Sequence, residues 1–306
     1  MGHNHPAMQR LSRQQIVLLV LLTLTWGLNW PMMKLGVNNF PALSFRALTV
    51  TLGLPTLALI LLARKVPFGV PRRWWGELLW LALTNMVVWN ICMILALRSL
   101  TSGRAAILAY TMPIFSAVIG SLLFATRLSA RGWMGMAAAA VGVALLLWYE
   151  LTVLAGRPLG VALALFSAAT WALGTQLLRR SRIEIPTLAL SFWMTAISAV
   201  CATLLALVFE RSEWRMPPSA AWIAIAYNAL LVFGFSQAAW LSLARGLPPV
   251  ASTLSVMLIP VLGVFIGALW LGEVLHWQDW AAVVLMMVAI ASVLWPARTV
   301  ETVAAK

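Results

Sequence analysis

The chain has 306 residues, 62% of them apolar and 9% charged, with a mean hydropathy of +0.93. Soluble domains carry about 25% charged residues, so this composition excludes an ordinary water-soluble globule and calls for an integral membrane protein. The formal charge of +13 belongs to no soluble basic patch; it fits loop topology and contact with membrane lipid head groups rather than a nucleic-acid partner.

A helix needs about 20 apolar residues to cross ~30 Å of hydrocarbon. The first such run is predicted near 14 to 34. Arg10 and Arg13 precede it as in a secretory signal, but it lacks a small-residue cleavage site and continues through Trp26, Asn29 and Trp30, so it reads as a retained helix. His3 and His5 fall in the tail before it. Further runs are expected near 41 to 63, near 74 to 97 with Asn85, Trp89, Asn90 and Cys92, near 105 to 125 with Tyr110 and Pro113, and near 132 to 149. The second half continues near 159 to 178 with Trp171, Thr175 and Gln176, near 187 to 209 with Cys201, and near 219 to 243 with Tyr227, Asn228, Ser236, Gln237 and Trp240. Runs near 250 to 271, with Thr253, Ser255 and Pro260, and near 279 to 296 complete the set. The fold class is therefore all-α and membrane-embedded, with ten transmembrane helices. Both cysteines lie inside spans and read as small apolar fillers.

The halves repeat. Leu43-Ser44-Phe45 recurs as Leu190-Ser191-Phe192, Arg98 as Arg245, Pro113 as Pro260, Trp133 as Trp280 and Trp148 as Trp295, all at an offset of 147 residues. Trp26 recurs as Trp171 at 145, as a small deletion near the first helix would give. Chance likeness of apolar helices explains one match, not several tryptophans and an arginine in one register. The units are residues 1–152 and 153–306. Five spans per unit is an odd number, so the second unit must be inverted relative to the first; inverted repeats are a secondary-transporter architecture with the substrate site near the midplane. With the N-terminus cytoplasmic, fourteen lysines and arginines fall in inner segments and seven outside, the latter being Lys34, Arg46, Arg98, Arg104, Arg157, Arg211 and Arg215. Both termini are expected to be cytoplasmic.

Thr25-Trp26-Gly27-Leu28-Asn29-Trp30, its counterpart Thr170-Trp171-Ala172-Leu173-Gly174, the proline-bearing fourth helices and Leu271-Gly272-Glu273 followed by Trp280 resemble the EamA family of the drug/metabolite transporter superfamily. The resemblance covers nearly the whole chain. It implies that helices one, three, four, six, eight and nine surround a central cavity, and that the chain is similar to bacterial inner-membrane exporters of amino acids and metabolites, the aromatic amino-acid exporters among them. Glu273 falls opposite Thr126 in the first unit, so any role of that carboxylate is not duplicated.

Polar side chains in mid-helix are costly in a bilayer and face protein or water. Those on the implied cavity helices form the candidate substrate set: Trp26, Asn29, Asn85, Trp89, Asn90, Tyr110, Trp171, Thr175, Gln176, Tyr227, Ser236, Gln237, Trp240 and Ser255. Asn85, Trp89 and Cys92 share one face of a 3.6-residue period. Any one of these residues is as readily an interhelical hydrogen bond or a packed ring as a substrate contact. All eight acids, Glu77, Glu150, Glu184, Glu210, Glu213, Glu273, Asp279 and Glu301, fall in loops or near span ends, so no midplane carboxylate is available to relay protons or hold a lipophilic cation. Lys34, Arg98, Arg179 and Arg245 sit towards helix ends, where snorkelling accounts for them. These absences favour a neutral or zwitterionic cargo: amino acids, including large apolar or aromatic ones, exported by facilitated diffusion or exchange. Proton-coupled multidrug export, or a membrane sensor without transport, are the alternatives. Nothing in the pattern suggests an enzyme, a metal or a cofactor. Pro113 and Pro260 are candidate matched hinges for alternating access, against the plain tolerance of proline in membrane helices.

Overall fold

The computed structural model describes residues 12–124, 130–153, 158–236, 239 and 249–294, and among these every regular element is helical. Seven helices are long and apolar enough to cross a membrane by length and composition: α1 (Arg13–Asn39), α2 (Ala42–Ala63), α3 (Arg72–Ser99), α4 (Ser102–Phe124), α6 (Pro158–Arg180), α7 (Thr187–Phe209) and α8 (Ser219–Ser236). Three more helices stand at the positions expected for further spans: α5 (Ala130–Val153), α9 (Pro249–Leu271) and α10 (Trp277–Leu294). Their described apolar parts, Ala130–Leu146, Leu258–Leu271 and Trp277–Ser292, are shorter.

Local chemistry sets the ends. Ser12 opens α1 with a capping box, its hydroxyl accepting from the Gln15 amide and its own amide donating to the Gln15 side chain. Pro41 and Pro186 precede α2 and α7 with the same backbone angles, φ −54 and ψ 134, and the Thr101 hydroxyl accepts from the Arg104 amide to open α4. Beyond the C-terminal end of α9, Gly272 takes φ +67, a left-handed turn that a side chain resists. Within the spans the backbone satisfies itself, as hydrocarbon demands, while Leu59, Leu122, Leu204, Val208 and Phe209 remain exposed as a lipid-facing surface.

Two helices depart from the regular ladder. Leu83–Val87 of α3 and Tyr227–Ser236 of α8 are π-helical; advancing the first by 147 residues lands inside the second. In α4 the helix stops at Ala109 and restarts at Met112. Every side chain described in the first segment is buried, whereas most in the second are half-buried.

The packing has a two-fold grain. α1 packs on α8 and α9, and α6 packs on α3 and α4; α2 touches α8 as α7 touches α3; α2 pairs with α7, α4 with α9, and α5 with α10. Exchanging each helix for the one five places along maps this set onto itself. α5 and α10 form a pair beside the rest, and α1, α9, α4 and α6 run as successive neighbours with α3 beside α6.

Candidate functional site

Aromatic rings from four helices gather in the interior. Trp30 of α1 meets Tyr110, at the break of α4, edge-on with centroids 6.4 Å apart. Trp89 of α3 meets Trp171 of α6 at 4.9 Å and 61°. Trp26, Trp89 and Tyr110 border the same buried cluster that contains Trp30. Trp26, Trp89, Tyr110 and Trp171 stay half-buried, so part of each side chain is accessible, and aromatic faces stack on apolar groups. The tight α3–α6 approach behind this pair depends on Gly174: a Cβ there would stand 2.5 Å from Asn85 Nδ2 and 2.8 Å from Thr84 Oγ1.

The polar candidates divide. Asn85 is buried and donates to the Leu81 carbonyl of its own helix at 2.9 Å. Asn90 turns away to α7, its Nδ2 donating to Ser198 Oγ at 3.1 Å. Gln176 donates to the Ser116 carbonyl at 2.8 Å and Ser116 Oγ at 2.9 Å on α4, and accepts from Arg180 at 2.6 Å, a clasp that ties α6 to the second segment of α4. Tyr227 donates to the Thr25 carbonyl of α1 at 2.7 Å. Thr175 is half-buried. Asn29 Oδ1, Asn228 Oδ1 and Ser236 Oγ are buried with no hydrogen-bond partner among the described residues. Gln237, Trp240 and the side chain of Ser255 lie outside the described residues.

The prolines are not equivalent. Pro113 is the second residue of the restarted α4 segment, following a turn in which Tyr110 and Thr111 amides bond back to Ala106 and Leu108; Pro260 lies inside uninterrupted α9. Proline is tolerated in a first turn because the amide it lacks has no helical partner there, whereas in an interior it removes a bond.

Charge is distributed differently from the sequence reading. Glu210, in the segment after α7, accepts from the Leu43 and Ser44 amides at 3.0 and 2.7 Å and from Ser44 Oγ at 2.9 Å, closing the first turn of α2. Glu273, after α9, accepts from the Ser102 amide and hydroxyl at 2.7 and 2.8 Å at the start of α4. Asp279 holds Arg104 through Nε–Oδ1 at 2.6 Å and Nη2–Oδ2 at 3.2 Å, with both side chains about 95% buried. Glu210 and Glu273 sit on orphan amides at the positive end of a helix dipole, Asp279 pairs with a buried guanidinium in the first turn of α4, and each reaches from a later element to an earlier one. Their position at helix ends was legible; their role as buried staples was not, because the partners are 166 or more residues away. Arg46 and Arg104, assigned to the outer surface by loop counting, are both only 4% exposed: α2 and α4 start early enough to carry them inside. Arg46 is a buried guanidinium that the sequence reading did not place in the site. The spacing of Arg46 from the opening of its helix is the signal that could have found it.

An open cavity of about 370 Å³ lies at the same end of the molecule, lined by Val37 to Ala42, Arg98, Glu213 and Arg215. Its lining residues Phe40 and Ala42 belong to the same buried cluster as Trp30, but none of the rings Trp26, Trp30, Trp89, Tyr110 and Trp171 lines it.

Residues 14–148 and 158–295 each match the EamA-like transporter family. The chain is similar to the uncharacterized inner membrane transporter YedA of Escherichia coli, 26% identical over 92% of each chain. It is 25% identical to a probable amino-acid metabolite efflux pump of Salmonella typhimurium over 92% of this chain and 94% of that one. A solved crystal structure shares the fold with a TM-score of 0.64 at 22% identity, across 94% of this chain and all of the other.

Proposed function

The chain belongs to the EamA-like transporter family and is a multi-pass membrane transporter, and from that premise we propose that it exports amino acids across a bacterial inner membrane. The cargo includes large apolar and aromatic amino acids and related small metabolites. Two inverted five-helix units, residues 1–152 and 153–306, alternate in opening the central site, with both chain termini cytoplasmic. The exchange symmetry of the helix packing supports the two-unit reading.

The observation that carries the substrate class is the group of half-buried aromatics, Trp26, Trp89, Tyr110 and Trp171, whose accessible parts suit an apolar or aromatic side chain and whose π clouds attract an ammonium. The resemblance to a probable amino-acid metabolite efflux pump points the same way. Every described acidic residue lies in a loop, in an end turn or near a helix end, which favours facilitated diffusion or exchange over proton coupling.

Reconstituted into proteoliposomes, the protein is expected to move radiolabelled phenylalanine or leucine down its gradient, with trans-stimulation by the same amino acid. Flux abolished by dissipating the proton gradient alone overturns the uncoupled mechanism. Amino-acid binding with no flux across the vesicle overturns transport in favour of a sensor.

A further inference from the structure

Arg46 is the fifth residue of α2 and is only 4% exposed. Its Nη2 points at the sulfur of Met33 on α1, 2.9 Å away, and its Nε is buried with no partner among the described residues. No carboxylate among the described residues is within ion-pairing distance. Glu210 approaches the same end of α2, but both its oxygens are taken by the Leu43 and Ser44 groups. A thioether is a weak acceptor, and a buried guanidinium without an anion is a costly group that persists where something else supplies the charge.

The complementary defect lies one turn away. Asn29 precedes Met33 by four residues on α1, hence on the same face and about 6 Å along the axis. Its Oδ1 is buried and lacks a donor among the described residues. Among the described residues, α1 and α2 thus bring a donor without an acceptor, Arg46 Nε, to within about one turn of an acceptor without a donor, Asn29 Oδ1.

Building on the amino-acid reading above, we propose that Arg46 binds the carboxylate, and Asn29 the ammonium, of a zwitterionic α-amino acid. A planar guanidinium takes a carboxylate through two parallel hydrogen bonds. An ammonium offers three donors and accepts nothing, which suits an amide oxygen that lacks a donor. The aromatic rings of Trp26 and Trp30, flanking Asn29 in sequence, would then face the side chain of the cargo.

The test is equilibrium binding of phenylalanine, phenethylamine and phenylpropionate to the purified full-length protein in nanodiscs. The unaltered protein is expected to prefer the zwitterion to both analogues by about tenfold or more, the scale of one charge-assisted contact. Arg46→Met should weaken phenylalanine and phenylpropionate by a similar factor and leave phenethylamine unchanged. Arg46→Lys should recover part of the loss, and serves if the methionine variant does not fold. Asn29→Leu should weaken phenylalanine and phenethylamine and spare phenylpropionate. Unchanged phenylalanine affinity in both Arg46 variants, or an equal loss of all three ligands, overturns the assignment. If the unaltered protein binds none of the three, the amino-acid reading itself falls and this one falls with it.

Discussion

Asp279 and Arg104 bury a bidentate pair, whereas Arg73 and Glu184, at 2.7 Å, keep 66% and 73% of their side chains exposed. The two pairs have similar distances and opposite consequences. Removing one partner of a buried pair leaves an uncompensated charge and costs about 3–5 kcal/mol, while an exposed pair contributes about 0–1 kcal/mol. Asp279→Ala should therefore lower the thermal midpoint in detergent markedly and Arg73→Ala hardly at all; equal shifts would contradict the burial argument. The double change Arg104→Met with Asp279→Leu should recover much of the loss, since the orphaned charge goes too. Sequence marked Asp279 only as an acid near a span end. Its worth depends on a partner 175 residues away, and no periodicity carries that information. Asn90 makes the same point in reverse: its helix was assigned correctly, yet its amide serves Ser198 on α7 rather than the aromatic cluster, because one helix face packs two neighbours.

At the scale of the element, apolar length placed the helices and said little about their interiors. A π-helical run widens the helix and displaces the residues that follow, and such runs recur at functional sites. The runs in α3 and α8 carry or flank Asn85, Trp89, Tyr227 and Asn228, but residue types alone give no warning of them. Pro113 looked like the twin of Pro260, and in register it is. In three dimensions α4 is already interrupted at Tyr110 and Thr111, so Pro113 occupies a first turn and Pro260 an interior. The hinge proposal accordingly moves its weight to Pro260. Pro260→Ala restores the missing hydrogen bond of α9 and is expected to stiffen it and slow amino-acid flux several-fold, roughly the effect of 1 kcal/mol on a conformational step; Pro113→Ala should leave flux near the original rate. Initial rates in proteoliposomes decide this, and equal slowing by both substitutions would reinstate the matched pair.

For the whole molecule, the proposal of ten spans, an even count, would put both ends on one side, and the bias of basic loops would make that side cytoplasmic. Reporter fusions at residues 12 and 294 should both behave as cytoplasmic, and a fusion after Phe209 as periplasmic; termini on opposite faces would dismantle the inverted-repeat proposal. Composition, apolar run length and the 147-residue register determined the solvent, the number of helices expected and their family, because a bilayer leaves helices as the only way for such a sequence to satisfy its backbone. Which polar atoms face a guest, which acids serve as staples, and the burial of Arg46 were decided by tertiary structure alone. Those outcomes depend on the rotation and neighbours of each helix, set by close contacts such as Gly174 on Asn85, and side chains many turns apart in sequence meet only once the helices have packed.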